Sequence, residues 1–231
     1  MIAISLFKRA GVNRKLFFIL LVASVLATIA ALPYIWSLFP STERPPIPLS
    51  ILIFVQIIQA SVMFSIMIFV GLYLGNKVGL GAPVLMSWIK AESIENKLKS
   101  ILWISIILGV FVGISVFVLD RFVFAVFIES ISASQAEPPL WQRFLVSFYG
   151  GIGEEIAMRF FLMTLFVWIS LKIKRTRSGL PTNLGIWIAI VLVSVLFGLG
   201  HLPMTARLQQ ITTLVVFRAI ALNGIAGIVF G

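Results

Sequence analysis

The sequence has no cysteine, a single histidine, and charged side chains at only 11% of its 231 positions. Without cysteine the chain can form no disulfide, no thiolate metal site and no thiol nucleophile. Any chemistry must therefore come from carboxylates, hydroxyls, the backbone or the histidine. Hydrophobic residues make up 60% of the chain, against about 45–50% in soluble domains. This composition excludes an ordinary soluble domain, a coiled coil and a disordered chain.

The apolar residues form runs that are long enough to cross a bilayer, for which a helix needs about 20 residues. The first run is too long for the apolar part of a signal peptide. A proline-rich turn at 44–48 precedes the second run, and residues 84–89 and 122–128 are too short to cross. We expect residues 84–89 to form a helix along the interface, and residues 122–128 to extend the third helix or to lie at the surface. We predict an all-α, polytopic transmembrane helix bundle with six spans, at about 16–42, 49–74, 100–119, 143–171, 183–201 and 208–231.

The net charge of +10 arises from 18 Lys and Arg residues, most of which lie between the spans. If the N-terminus is cytoplasmic, twelve of the 18 fall on the cytoplasmic side and four on the other, as the positive-inside rule requires. We therefore expect both ends of the covered chain in the cytoplasm, and a bacterial or archaeal plasma membrane. The charge is then explained by topology and by attraction to lipid headgroups, so the expected partner is the bilayer and not a nucleic acid.

Three ionisable residues lie inside the fourth span, where each costs at least about 2.5–3.5 kcal/mol. Glu155 and Arg159 are four apart, the spacing and order that favour an ion pair on a helix. Glu154 lies about 100° round the helix and has no partner at that spacing. It is thus suited to take and return a proton as a general base. Alternatively, the three residues form a buried polar cluster that only connects helices.

Polar residues also lie near the ends of the fifth and sixth spans. His201 is four residues after Phe197 and shares a helix face with it. In the sixth span, Arg218 either neutralises a carboxylate of the fourth span or extends to a surface. Asn223 either donates to a developing oxyanion or, more simply, packs against a neighbouring helix.

The pattern Glu154-Glu155-x-x-x-Arg159 followed by Phe197-x-x-x-His201 resembles the two motifs of the CAAX-prenyl endopeptidase and bacteriocin-processing (Abi) family of intramembrane proteases. The resemblance covers about residues 150–231. It divides the chain into an N-terminal three-span region, 1–142, without a diagnostic motif, and an incomplete protease core, 143–231.

The resemblance implies an endopeptidase that cleaves a peptide bond near the membrane, in a substrate that can be lipidated. Glu154 would activate the hydrolytic water, Glu155 and Arg159 would organise the site, and His201 would help to hold the water. The motifs do not decide between metal-dependent and metal-independent catalysis. Zinc, with Glu154 and His201 as ligands, and catalysis without a cofactor are both compatible with the motifs, and the residues favour direct water activation.

The chain departs from the family at its third motif, His-x-x-x-Asn or His-x-x-x-Asp, because it has no second histidine. This absence predicts either a further span beyond Gly231 or a catalytically inactive protein. Two other function classes stay open. One is a polytopic transporter with a Glu/Arg/His proton relay, and the other is a non-catalytic membrane scaffold derived from the protease.

Overall fold

The computed structural model describes residues 7, 9–38, 48–128 and 138–231, and this part of the chain is helical apart from short connections and one isolated bridge between Arg175 and Pro181. The proline-rich turn predicted at 44–48 lies outside the described residues except for Pro48. Nine α-helices are described here, and two of them continue into π-helical segments. They are α1 (Arg14–Ser37), α2 (Leu49–Val78), α3 (Pro83–Ile89), α4 (Glu95–Leu119), α5 (Leu140–Phe148), α6 (Thr164–Ile173), α7 (Asn183–Gly200), α8 (Leu202–Leu208) and α9 (Thr213–Phe230).

Six helical segments are long and apolar enough to cross a membrane, which confirms the predicted all-α polytopic bundle. They are Arg14–Ser37, Leu49–Val78, Leu98–Phe124, Leu140–Ile173, Asn183–Leu208 and Thr213–Phe230. Their length and composition support an integral membrane protein. The orientation of the two ends stays a prediction.

The helices begin and end where local side chains satisfy the backbone. Asn13 accepts a hydrogen bond from the Leu16 amide at 3.0 Å at the start of α1, and Thr182 does the same for Gly185 at α7. Such caps bond amides that have no partner in the first helical turn. The second span ends at Gly79, whose φ of +76° is the left-handed conformation that glycine adopts readily.

Several predicted boundaries change in the structure. Residues 84–89 do form a short helix, α3. The helix of the third span, α4, continues through the π-helical turn Asp120–Phe124. Residues 122–124 therefore extend this helix, as the first of the two alternatives predicted. The helix of the fifth span, α7, ends at Gly200. The chain turns at His201 into α8, which has Pro203 in its first turn. Proline is tolerated there because the first helical amides have no intrahelical partner.

The described chain divides into two compact units, each containing residues from both sides of position 142. The first comprises residues 1–82 and 137–169, thus α1, α2, α5 and most of the fourth span. Its centre is formed by side chains that are almost fully buried: Leu16, Ser24, Phe64, Ile68 and Val167. The division into a region 1–142 and a core 143–231 stays a prediction.

The second unit comprises residues 83–136 and 170–231. Its closest packing joins α7 to α9, where two glycines let the helices approach. A Cβ on Gly198 would lie 2.5 Å from the Ile220 Cα, and one on Gly227 would collide with the Ser194 side chain. Small residues permit this closeness in membranes, where packing replaces the hydrophobic effect as the force between helices.

Replacing Gly198 by alanine should therefore destabilise the second unit by about 1–3 kcal/mol, the usual cost of overpacking. The control is Gly109→Ala in α4, because a Cβ there would meet nothing within 4 Å. Alanine also has a better helix propensity than glycine, by about 1 kcal/mol, so the control should be neutral or stabilising. Thermal unfolding in detergent measures both, and equal melting temperatures for the two variants would contradict the packing described for α7 and α9.

Candidate active site

The Glu-Glu-x-x-x-Arg motif lies on a π-helical segment, Tyr149–Met163, between α5 and α6. A π-helix pairs each amide with the carbonyl five residues earlier, is rare, and occurs frequently at functional sites. The sequence predicted a span here but not this winding. The signal that was available is the run of Gly150, Gly151 and Gly153, since glycines loosen a regular helix.

Glu155 and Arg159 form the predicted ion pair. The Arg159 Nη1 lies 2.7 Å from the Glu155 Oε1, and the side chains are 15% and 42% exposed respectively. The guanidinium is thus mostly enclosed by protein. A charge-assisted hydrogen bond of this length is the strong kind, and it offsets part of the cost of placing both charges in an apolar span.

The second span supports this segment on both sides of the ion pair. Phe64, which is fully buried, lies beside Gly153, where an added Cβ would be 3.4 Å from the ring. Farther along α2, a Cβ on Gly71 would be 2.7 Å from the Phe160 carbonyl oxygen. The Glu/Arg segment is therefore fixed against α2 by contacts that leave little room for larger side chains. Sequence reasoning missed Phe64.

Glu154 is half-buried and directs its carboxylate back along its own helix. Its Oε2 lies 3.5 Å from the position that a Cβ on Gly150 would occupy. An alanine at position 150 would thus place its Cβ in ordinary van der Waals contact with this carboxylate.

His201 lies in the second unit, at the end of α7. Its Nδ1 is 2.8 Å from the Phe197 carbonyl oxygen, and its ring packs edge-on against the Phe197 ring, with centroids 4.9 Å apart and an interplanar angle of 82°. A carbonyl oxygen only accepts, so Nδ1 must carry the proton. In the neutral imidazole the lone pair then belongs to Nε2, which is the atom that can accept a proton or a hydrogen bond.

Arg218 pairs with Asp120 at the end of the third span. Its Nε and Nη2 donate to the two carboxylate oxygens at 2.6 and 2.9 Å. Neither alternative from the sequence describes this contact, since the carboxylate belongs to the third span and the arginine is only about a third exposed. Asp120 was missed because the two residues are 98 positions apart. Its position just after an apolar run was the one available signal.

Asn223 donates from Nδ2 to the Ala219 carbonyl oxygen at 2.9 Å, on its own helix. One of its two N–H donors is thereby engaged within its own helix, a contact that neither alternative predicted. A side-chain amide has a second N–H, so this contact leaves the predicted oxyanion role open.

The candidate residues are divided between the units: Glu154, Glu155 and Arg159 lie in the first, and His201, Arg218 and Asn223 in the second. Within either unit, the described residues provide no group of three His, Cys, Asp or Glu side chains that could hold a metal ion. A zinc site usually requires three protein ligands and a water. The donors of one unit alone thus do not fit zinc.

The C-terminal part of the chain is similar to one known protein family. Residues 136–231 match the model of the family described as type II CAAX prenyl endopeptidase Rce1-like. This part of the chain is similar to that protease family, which confirms the resemblance inferred from the two motifs. The matched part contains the π-helical segment and both motifs. No curated protein and no solved structure matches the chain.

The Asp120–Arg218 contact predicts a large effect from removing one charge. Asp120→Asn leaves the partly buried guanidinium without its carboxylate and should destabilise the second unit by about 1.5–3 kcal/mol, the range for hydrogen bonds to charged groups. The reversed pair, Asp120→Arg with Arg218→Asp, should recover part of the loss. Thermal unfolding in detergent measures the stability of both variants.

The control for this prediction is Glu95→Gln, which removes the exposed ion pair between Glu95 and Lys99. Exposed pairs contribute about 0–1 kcal/mol. If Asp120→Asn costs no more than this control, the contact does not stabilise the unit.

Proposed function

We propose that the protein is an intramembrane endopeptidase in which Glu154 activates the hydrolytic water. The observation that carries the proposal is the pairing of Glu155 with Arg159 at 2.7 Å, inside the segment that matches a protease family. The adjacent Glu154 carboxylate lies near Gly150 of its own helix, with its Oε2 3.5 Å from the position of a Cβ there. Two neighbouring carboxylates in different surroundings can perform different tasks.

In the proposed reaction, the Glu154 carboxylate removes a proton from water as the oxygen attacks the carbonyl carbon of the scissile peptide. The tetrahedral intermediate carries its negative charge on the former carbonyl oxygen. Glu154 then gives the proton to the leaving nitrogen, and the C–N bond breaks to yield a carboxylic acid and an amine. Glu155 and Arg159 position the segment and stay paired throughout. General acid–base catalysis of this kind contributes about 10²–10⁴-fold.

His201 is proposed to orient the same water. Its Nδ1–H donates to the Phe197 carbonyl, and the edge contact with the Phe197 ring restricts ring rotation. The Nε2 lone pair is thereby aimed by the protein, as a catalytic histidine requires. Asn223 is a candidate donor to the oxyanion through its second N–H. No step of this proposal passes through a metal ion.

The proposed substrate is a peptide or protein whose cleaved bond lies close to the membrane, with a lipidated C-terminus as the first class to test. This choice rests on the description of the matching family, type II CAAX prenyl endopeptidase Rce1-like. An integral membrane enzyme meets such a chain by diffusion in the bilayer.

Replacing Glu154 by glutamine should lower the rate of cleavage of a membrane-tethered peptide at least about 100-fold, because the amide cannot act as a base. The assay uses the full chain in liposomes with a fluorogenic lipidated peptide. Glu95 is an exposed carboxylate, so Glu95→Gln is the matched control and should retain full activity. Melting temperatures equal to wild type exclude unfolding as the cause.

Retained cleavage in Glu154→Gln would refute the role of Glu154. Proton flux in the same liposomes that requires Glu154, without cleavage, would favour the transporter. A phenotype in cells that survives replacement of both Glu154 and His201 would favour the non-catalytic scaffold.

A double-mutant cycle tests whether Glu154 and His201 act on one water. His201→Ala should reduce kcat at least about 10-fold with little change in KM, since the imidazole is proposed to orient water and not to bind peptide. Adding this change to Glu154→Gln should cost little more, because residues that act as a unit are strongly non-additive. Full additivity of the two losses would separate His201 from the water-activating step.

A further inference from the structure

A groove lies where the first span begins, and none of the motif residues lines it. It has a volume of about 920 Å³ and is lined by Phe7, Val12, Asn13, Arg14, Lys15, Phe18 and Ile19. Four of these residues are apolar, and Arg14 and Lys15 are cations. All of these residues belong to the first unit.

The segment beside the groove is fixed by several contacts. Asn76 of α2 donates from its side chain to the Gly11 carbonyl oxygen at 3.0 Å. The Phe7 ring packs edge-on against Phe17 and Phe69, with centroids 5.0 and 5.6 Å apart. These contacts join the residues before α1 to the second span, so the groove is formed by packed elements.

The two cations of the groove are available to a ligand. Arg14 and Lys15 are exposed, and neither forms an ion pair with any carboxylate in the part of the chain that the structure describes. They lie in the first turn of a membrane-spanning helix, thus at the level of the lipid headgroups. A neighbouring anion would be attracted there by about 1 kcal/mol per cation.

An apolar stripe continues from the cations along the same face of α1. Phe18, Val22 and Leu26 are 51%, 56% and 61% exposed, and their spacing of four places them on one face with Lys15. The opposite face is buried at Ser24, Ala27 and Ala31. From Lys15 to Leu26 the helix rises about 16 Å, close to the hydrocarbon depth of one leaflet, about 15 Å.

We propose that this groove and stripe bind one anionic glycerophospholipid. Its phosphate lies at Arg14 and Lys15, and one acyl chain follows Phe18, Val22 and Leu26. Charge complementarity selects the anionic headgroup, and the length of the stripe selects a whole lipid over a soluble phosphate. The site is separate from the proposed protease chemistry and does not depend on it.

The test is native mass spectrometry of the full chain released from nanodiscs that contain phosphatidylcholine and phosphatidylglycerol. We expect one retained phosphatidylglycerol per chain. Arg14→Gln with Lys15→Gln should weaken its binding about 25-fold, because about 1 kcal/mol for each cation corresponds to about fivefold. The control is Arg175→Gln with Arg177→Gln, which removes two exposed cations from the connection between α6 and α7. It changes the net charge by the same amount and should retain the lipid.

A second variant keeps the cations and alters the stripe. Phe18→Ser with Val22→Ser should also weaken retention of phosphatidylglycerol, and because both side chains are exposed, the melting temperature should not change. Glycerol 3-phosphate should not displace the lipid.

Three results would overturn the proposal. They are equal retention of phosphatidylcholine, equal lipid loss in the Arg175 and Arg177 control, and displacement by glycerol 3-phosphate or by a prenylated peptide with a free carboxylate. The last would assign the groove to a peptide substrate.

Discussion

The ion pair between Glu155 and Arg159 imposes the strictest constraint on the structure, because charges in an apolar span must be compensated by the protein itself. The compensation is local, with both residues on one helical segment and 2.7 Å between their charged atoms. It also requires neighbours that exclude lipid from the guanidinium, which is only 15% exposed. The close approach of α2 at Gly71 and Phe64 meets that requirement. A larger residue at Gly71 would push away the backbone of Phe160, next to Arg159.

Most of the helical architecture could be predicted from the sequence, because the signal is carried by long runs of one kind of residue. Six spans follow from apolar length alone, and the pairing of Glu155 with Arg159 follows from their spacing. The face shared by Phe197 and His201 also follows from spacing, and the structure adds the hydrogen bond that fixes the proton on Nδ1. Each of these features is local in the chain.

The features that escaped prediction depend on contacts between distant segments or on backbone detail. Asp120 and Arg218 are 98 positions apart, and no periodicity within one helix relates them. The contact of Gly71 with Phe160 likewise joins two spans. The π-helical winding of Tyr149–Met163 is a matter of which carbonyl each amide chooses, and an apolar pattern does not distinguish that choice from an ordinary helix. Hydrophobicity thus predicts that a span exists, while its winding and partners are determined by packing.

The first two spans carry no diagnostic motif, yet they form the surroundings of the Glu/Arg motif. The family match begins at residue 136, but the matched Glu/Arg segment packs against α1 and α2 within one compact unit. Phe64, at the centre of that unit, is fully buried and lies beside Gly153, one residue before Glu154. Residues 136–231 alone would therefore expose Gly153 and the Arg159 side of the segment to lipid, where an incompletely covered charge is costly. The motif can be recognised in the C-terminal part of the chain, but its physical environment is formed by α1 and α2.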